Sequence, residues 1–136
     1  MIGNKRELYE GIKVMTKMHK AGITVLPFGD YGFTWLPHGT EARDLEYFAN
    51  QFGFEPWEVL RAATAYGGEA WIGKTGEKMG RVQPGYLADL IVVDGNPLLG
   101  LSIFRDRNSF LAIMKDGSFH KPFQGRVAAD QRVAAE

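Results

Sequence analysis

Three consecutive pieces near the start of the chain limit its fold most: an amphipathic stretch, a glycine, and a short apolar run. Between Lys5 and Lys20 the apolar residues Leu8, Ile12, Met15 and Met18 recur every three to four positions, with lysines and glutamates between them. That is the period of a helix with one buried stripe. Gly22 follows, suited to the left-handed conformation that closes a helix. Residues 23–28 (Ile, Thr, Val, Leu, Pro, Phe) are then nearly all apolar and include β-branched members, as in a strand covered on both faces. Helix, glycine and buried strand form one unit of a parallel α/β fold, so α/β is the expected class.

Further along, Thr40 and Glu41 can open a helix that turns Leu45, Phe48, Ala49 and Phe52 inward, and Glu55-Pro56 opens another with Val59, Leu60 and Ala63 on its buried side. Glycines at 73, 76, 80 and 85 then break the chain into turns, and 88–93 reads as a strand. Asp94-Gly95-Asn96-Pro97 is a turn, 98–104 a short helix, and 110–114 a strand joined through Asp116-Gly117 to 118–120 as a hairpin. Helices therefore dominate residues 1–73 and strands 74–121, with a flexible tail over 122–136. With 136 residues, 45% of them hydrophobic, the two portions are expected to pack as one unit.

Sixteen basic and sixteen acidic residues cancel, so no chain-wide field favours nucleic acid or anionic lipid as a partner. The absence of cysteine removes disulfides, thiolate metal sites and a cysteine nucleophile. Charges interrupt the first twenty residues, which excludes the apolar core of a signal peptide, and no apolar run reaches the roughly twenty residues of a membrane span. A soluble protein is expected, cytoplasmic by default.

Chemistry concentrates in the loop 29–39. A carboxylate just past a buried strand, as at Asp30, can bind a divalent ion or accept a proton; an Asp after Gly also commonly caps its own turn. His38 in the same loop can bind a metal, touch substrate or shuttle a proton, or simply face solvent. Tyr31, Phe33 and Trp35 alternate, as a pocket wall or as anchors for the loop. His19 and His120 read as structural, and Glu41, Asp44 and Glu46 as an acidic helix start favoured by the helix dipole. P-loop, dinucleotide, nucleophile-elbow and H-E-x-x-H motifs are absent.

The order of segments carries a stronger signal than any one residue. Ala21-Gly22-Ile23 leading to Phe28-Gly29-Asp30, the helical Val59-Leu60-Arg61-Ala62-Ala63-Thr64, and the run from Gly80 through Pro84-Gly85 and Ala88-Asp89-Leu90 to Asn96-Pro97-Leu98 together resemble the C-terminal end of the amidohydrolase superfamily. The similarity points to its prolidase-like and imidazolonepropionase-like members and extends over about 8–121. It implies that 23–28 is the last strand of a (β/α)8 barrel and that 88–120 belongs to a small β-sandwich. It further implies that Asp30 is the aspartate that binds metal and takes the proton from the attacking water, in an enzyme holding one or two divalent ions, zinc by first expectation. His38, Tyr31, Phe33 and Trp35 would then shape the substrate pocket.

Two departures accompany the resemblance. The family commonly has Gly-Thr-Asp where this chain has Phe28-Gly29-Asp30, and the H-x-H, lysine and further histidines of the earlier barrel strands have no counterpart here. The expectation is therefore the C-terminal part of a metal-dependent amidohydrolase, inactive alone and dependent on a missing barrel segment or a second polypeptide. The alternative is a non-catalytic remnant serving as a binding or structural module, possible as a homo-oligomer.

Overall fold

The computed structural model describes residues 5–123, with backbone alone over 72–75; the expected tail lies outside the described residues from position 124 onward. Helix α1 spans Lys5–Lys20, as its periodicity requires. It ends with Ile23 N–H donating to Met18 O (3.0 Å), Gly22 N–H donating to His19 O (2.9 Å), and Gly22 at φ 72°. This pairing satisfies carbonyls that the last turn would otherwise leave bare.

Helix α2 (Arg43–Phe52) begins two residues after Glu41, since 40–42 form a turn, and Gly53 closes it at φ 82°. Helix α3 (Pro56–Arg61) starts at the proline and is capped reciprocally by Glu55 and Glu58, a carboxylate version of the capping box. It runs on through a π-helical turn at Ala62–Tyr66 into α4 (Gly67–Thr75).

Strand β1 is Leu90–Val93, β2 is Phe110–Lys115 and β3 is Ser118–Lys121, in an antiparallel sheet of order β1-β2-β3. Leu90 faces Met114 and Val92 faces Ala112, and the register slips between Val92 and Val93. Between β1 and β2 lie two 3₁₀ turns, Leu101–Arg105 and Arg107–Ser109, where the sequence pattern places one short helix over 98–104.

The core consists of Leu45, Phe48, Phe54, Val59 and Leu101, with Met15, Val25 and Phe104 packed against it. Leu101 comes from the 3₁₀ turn between β1 and β2, so the strand-rich portion contributes to the core of the helices through that turn. A second junction is backbone against backbone. Gly68 in α4 and Gly80 approach so closely that a Cβ on Gly68 would lie 2.1 Å from Met79 O, and one on Gly80 2.1 Å from Thr64 O. Arg81 ties the same crossing to Glu69.

One expected element does not form. Residues 23–28 carry no strand assignment, and the sheet among the described residues is antiparallel rather than parallel. A strand exists through the neighbours that take up its N–H and C=O groups. The helices take up only the two end N–H groups, Ile23 by Met18 O and Phe28 by Asp44, so the apolar run has no strand partner among the described residues and Ile23, Leu26 and Phe28 stay about half exposed.

Candidate functional site

The loop between α1 and α2 is closed by a single side chain. Asp44, in the first turn of α2, accepts the Phe28 N–H at Oδ2 (3.2 Å) and the Tyr31 hydroxyl at Oδ1 (2.7 Å). Phe28 sits at φ 73°, a left-handed conformation unfavourable for a residue with a side chain, so its N–H is held where Asp44 can reach it. Burial, and then the bond to Asp44, push the Tyr31 phenol up to about 12.

Asp30 lies between these two anchored residues. Its side chain is exposed and makes no hydrogen bond or ion pair among the described residues. It is not bound into a local turn. A carboxylate presented in this way can accept a proton or a cation without first giving up an internal partner.

Past Asp30 the chain folds into a tight turn, with Leu36 N–H donating to Phe33 O (3.0 Å) and Gly32 N–H to Leu36 O (2.9 Å). This places the Phe33 and Trp35 rings in a parallel stack, centroids 5.6 Å apart, with Trp35 74% exposed. Tyr31 does not join them, since its hydroxyl turns to Asp44. His38 lies over Gly32, where a Cβ would come within 3.0 Å of the histidine Nε2, and its Nδ1 is 3.4 Å from Glu41. The Glu41 carboxyl is lowered by local backbone N–H groups, including that of Gly39 (2.7 Å), with His38 adding to the effect. No hydrogen bond joins Asp30 to His38.

These residues do not by themselves fit a metal centre. Among the described residues no three His, Asp or Glu side chains converge on a point that could hold an ion, whereas catalytic zinc typically takes about three protein ligands. Asp30 offers one carboxylate and His38 at most one imidazole nitrogen, short of that number.

A separate cavity of about 180 Å³ opens where α1 meets α3, lined by His19, 23–25, Trp57, Glu58, Arg61 and Tyr66 among others. His19 stacks on Phe54 at 3.8 Å and meets Glu58 at 3.2 Å, so it docks α1 onto α3. Neither Asp30 nor His38 lines this cavity.

Sequence reasoning missed two residues. Asp44 was explained by the helix dipole, and its bonds to 28 and 31 leave no trace in local spacing. Asp89, inside the Ala-Asp-Leu motif, bonds Lys115 (2.7 Å) and the Asp116 N–H (2.7 Å), fixing the β2–β3 turn where Asp116 has φ 48°. Its place in the motif is thereby structural.

The model of the Amidohydrolase family matches residues 5–124. Ochratoxinase of Aspergillus niger is 29% identical over 102 residues, which cover 75% of this chain and 20% of the relative. The crystal structure of A. niger ochratoxinase superposes with TM-score 0.73 at 28% identity, over 81% of this chain and 24% of that one. A candidate prolidase from Bifidobacterium longum gives TM-score 0.69 at 30% identity, over 79% and 25%. A prolidase complexed with N-methylphosphonate-L-proline gives 0.66 at 26%, over 82% and 26%. The α/β fold is thus similar to these structures, and the chain spans about a fifth of the length of the curated relatives it matches.

Proposed function

The chain belongs to the amidohydrolase family, and from that membership we propose that it is the C-terminal part of a hydrolase acting on amide C–N bonds. In this reading 1–73 is the end of a (β/α)8 barrel and 74–121 a segment of a β-sandwich, the rest being supplied by a preceding segment or a second polypeptide.

The observation that carries the reading is the segment 23–28, which is apolar, has no strand partner among the described residues, leaves Ile23, Leu26 and Phe28 about half exposed, and leads directly to Asp30. Neighbouring barrel strands would take up its backbone groups and cover Ile23, Leu26 and Phe28. Strand β1 supports the same view. Ile91 and Val92 point to opposite faces and both are exposed, so each face of this edge strand has apolar surface for a further layer.

Asp30 acts as the proton-transfer carboxylate. It takes a proton from the attacking water as the oxygen bonds to the carbonyl carbon, and returns it to the nitrogen as the C–N bond breaks. The divalent ion used in the family, zinc by first choice, would be held mainly by donors outside this chain, with Asp30 its single contribution from here; such an ion makes bound water acidic near neutral pH. The Phe33–Trp35 stack offers an apolar wall to the substrate, with Tyr31 and His38 at its margin. Relatives named as ochratoxinase and prolidase support an N-acylated amino acid as the substrate class.

Native mass spectrometry of the purified protein, paired with turnover of N-acyl amino acids and proline dipeptides, tests this. A longer covalent chain or a stoichiometric partner is expected, with turnover abolished by Asp30→Asn and folding retained. A homo-oligomer of the 136-residue chain without C–N hydrolysis would establish the binding-module reading instead.

A further inference from the structure

We infer that Asp44 is the positioning residue for Asp30, its one carboxylate holding the backbone before that residue, at Phe28, and the side chain after it, at Tyr31. The inference rests on the proposed role of Asp30 and adds the means by which its carboxylate is aimed. Among the described residues Asp30 has no partner, so where its carboxylate stands follows from the backbone of 28–31. That stretch is tied to Asp44 at two residues three positions apart, through the backbone N–H of Phe28 and through the side-chain hydroxyl of Tyr31.

Neither point holds by local preference. The left-handed Phe28 conformation persists only where surroundings impose it, and a loop residue freed of its hydroxyl bond regains its rotamers. The clamp is also rigidly based, because Asp44 sits on α2, next to Leu45 of the core. Burial and then this same bond raise the Tyr31 phenol. A catalytic group displaced by about 1 Å loses on the order of a hundredfold in rate, which sets the expected size of the effect.

The test uses the native assembly. Asp44→Ala removes both acceptor oxygens, so kcat should fall about a hundredfold with KM changed less than about twofold. Amide exchange at Phe28 should accelerate about tenfold, as for a lost hydrogen bond of ordinary strength. Adding Phe28→Gly, which removes the left-handed penalty, should restore part of kcat, a rescue that general destabilisation would not show. If Asp44→Ala fails to fold, Tyr31→Phe removes one of the two bonds and should lower kcat about tenfold.

Asp44→Ala with unchanged kcat, while Asp30→Asn abolishes turnover, would overturn the positioning role and leave the proposed function standing. A harmless Asp30→Asn would overturn the proposed function itself.

Discussion

Replacing Gly68 by alanine sets two well-known effects against each other. In a helix interior alanine is favoured over glycine by about 0.8–1.0 kcal/mol, so propensity alone predicts a more stable protein. At this position the added Cβ would stand 2.1 Å from Met79 O and 2.7 Å from the Met79 carbonyl carbon. Both are backbone atoms, so no rotamer change relieves the contact; the 79–80 crossing must lift from α4 by about an ångström or more, in the range where overpacking costs about 1–3 kcal/mol. The clash wins, and Gly68→Ala should lose about 1–2 kcal/mol.

Gly80→Ala meets Thr64 O at 2.1 Å and adds a left-handed penalty at φ 84°, so its loss should reach about 3 kcal/mol or more. Gly11 in α1 is the internal control: nothing lies within 4 Å of its Cβ position, and Gly11→Ala should gain about 0.5–1 kcal/mol. Urea denaturation followed by far-ultraviolet circular dichroism reads all three. The double variant Gly68→Ala with Gly80→Ala should lose less than the two losses combined, because both disturb one contact. A Gly68→Ala midpoint at or above wild type, moving with Gly11→Ala, would refute the backbone-crossing argument.

Leu101→Ala should lose about 2–4 kcal/mol, because this 4% exposed side chain is the strand-rich portion's member of the core; a loss below about 1 kcal/mol in denaturation would show that the portions do not depend on it. Tyr31 should titrate near 12 by phenolate absorbance and nearer the ordinary 10.0 in Asp44→Ala. Since the folded state keeps this proton after the unfolded chain has released it, stability should fall between about pH 10 and 12; equal titration in both proteins would contradict the Asp44 bond. The Asp89 carboxyl is held below its ordinary value by the Lys115 side chain and then the Asp116 N–H, so its contribution is present above the unfolded-state value and fades as pH falls through the folded one. Asp89→Asn should therefore lose about 1–2 kcal/mol at pH 7 and almost nothing near pH 2, and an equal gap at both pH values would exclude the charge as its source.

Much of the architecture could be read along the chain because it depends on neighbours in sequence. The stripe of α1, the proline opening α3 and the Asp116-Gly117 turn each satisfy local backbone groups, and they appear where local patterns place them. The motif from Gly80 to Leu90 pointed to the family, although its Asp89 serves a turn and its Gly80 a chain crossing, roles visible only with the partner atoms in place. The same dependence explains the strand that did not form: the apolar character of 23–28 is a sequence property, whereas pairing belongs to the strands beside it. The candidate site divides in the same way. Asp30, Tyr31, Phe33, Trp35 and His38 share one loop and can be picked out by residue type, but the fold alone decided that Phe33 stacks on Trp35, that Tyr31 turns aside, and that Asp44 closes the loop. Sequence thus determined which segments bury an apolar face and where the chain turns. Tertiary structure decided which polar groups meet across the chain, because a hydrogen bond's geometry depends on distances in space that local spacing does not encode.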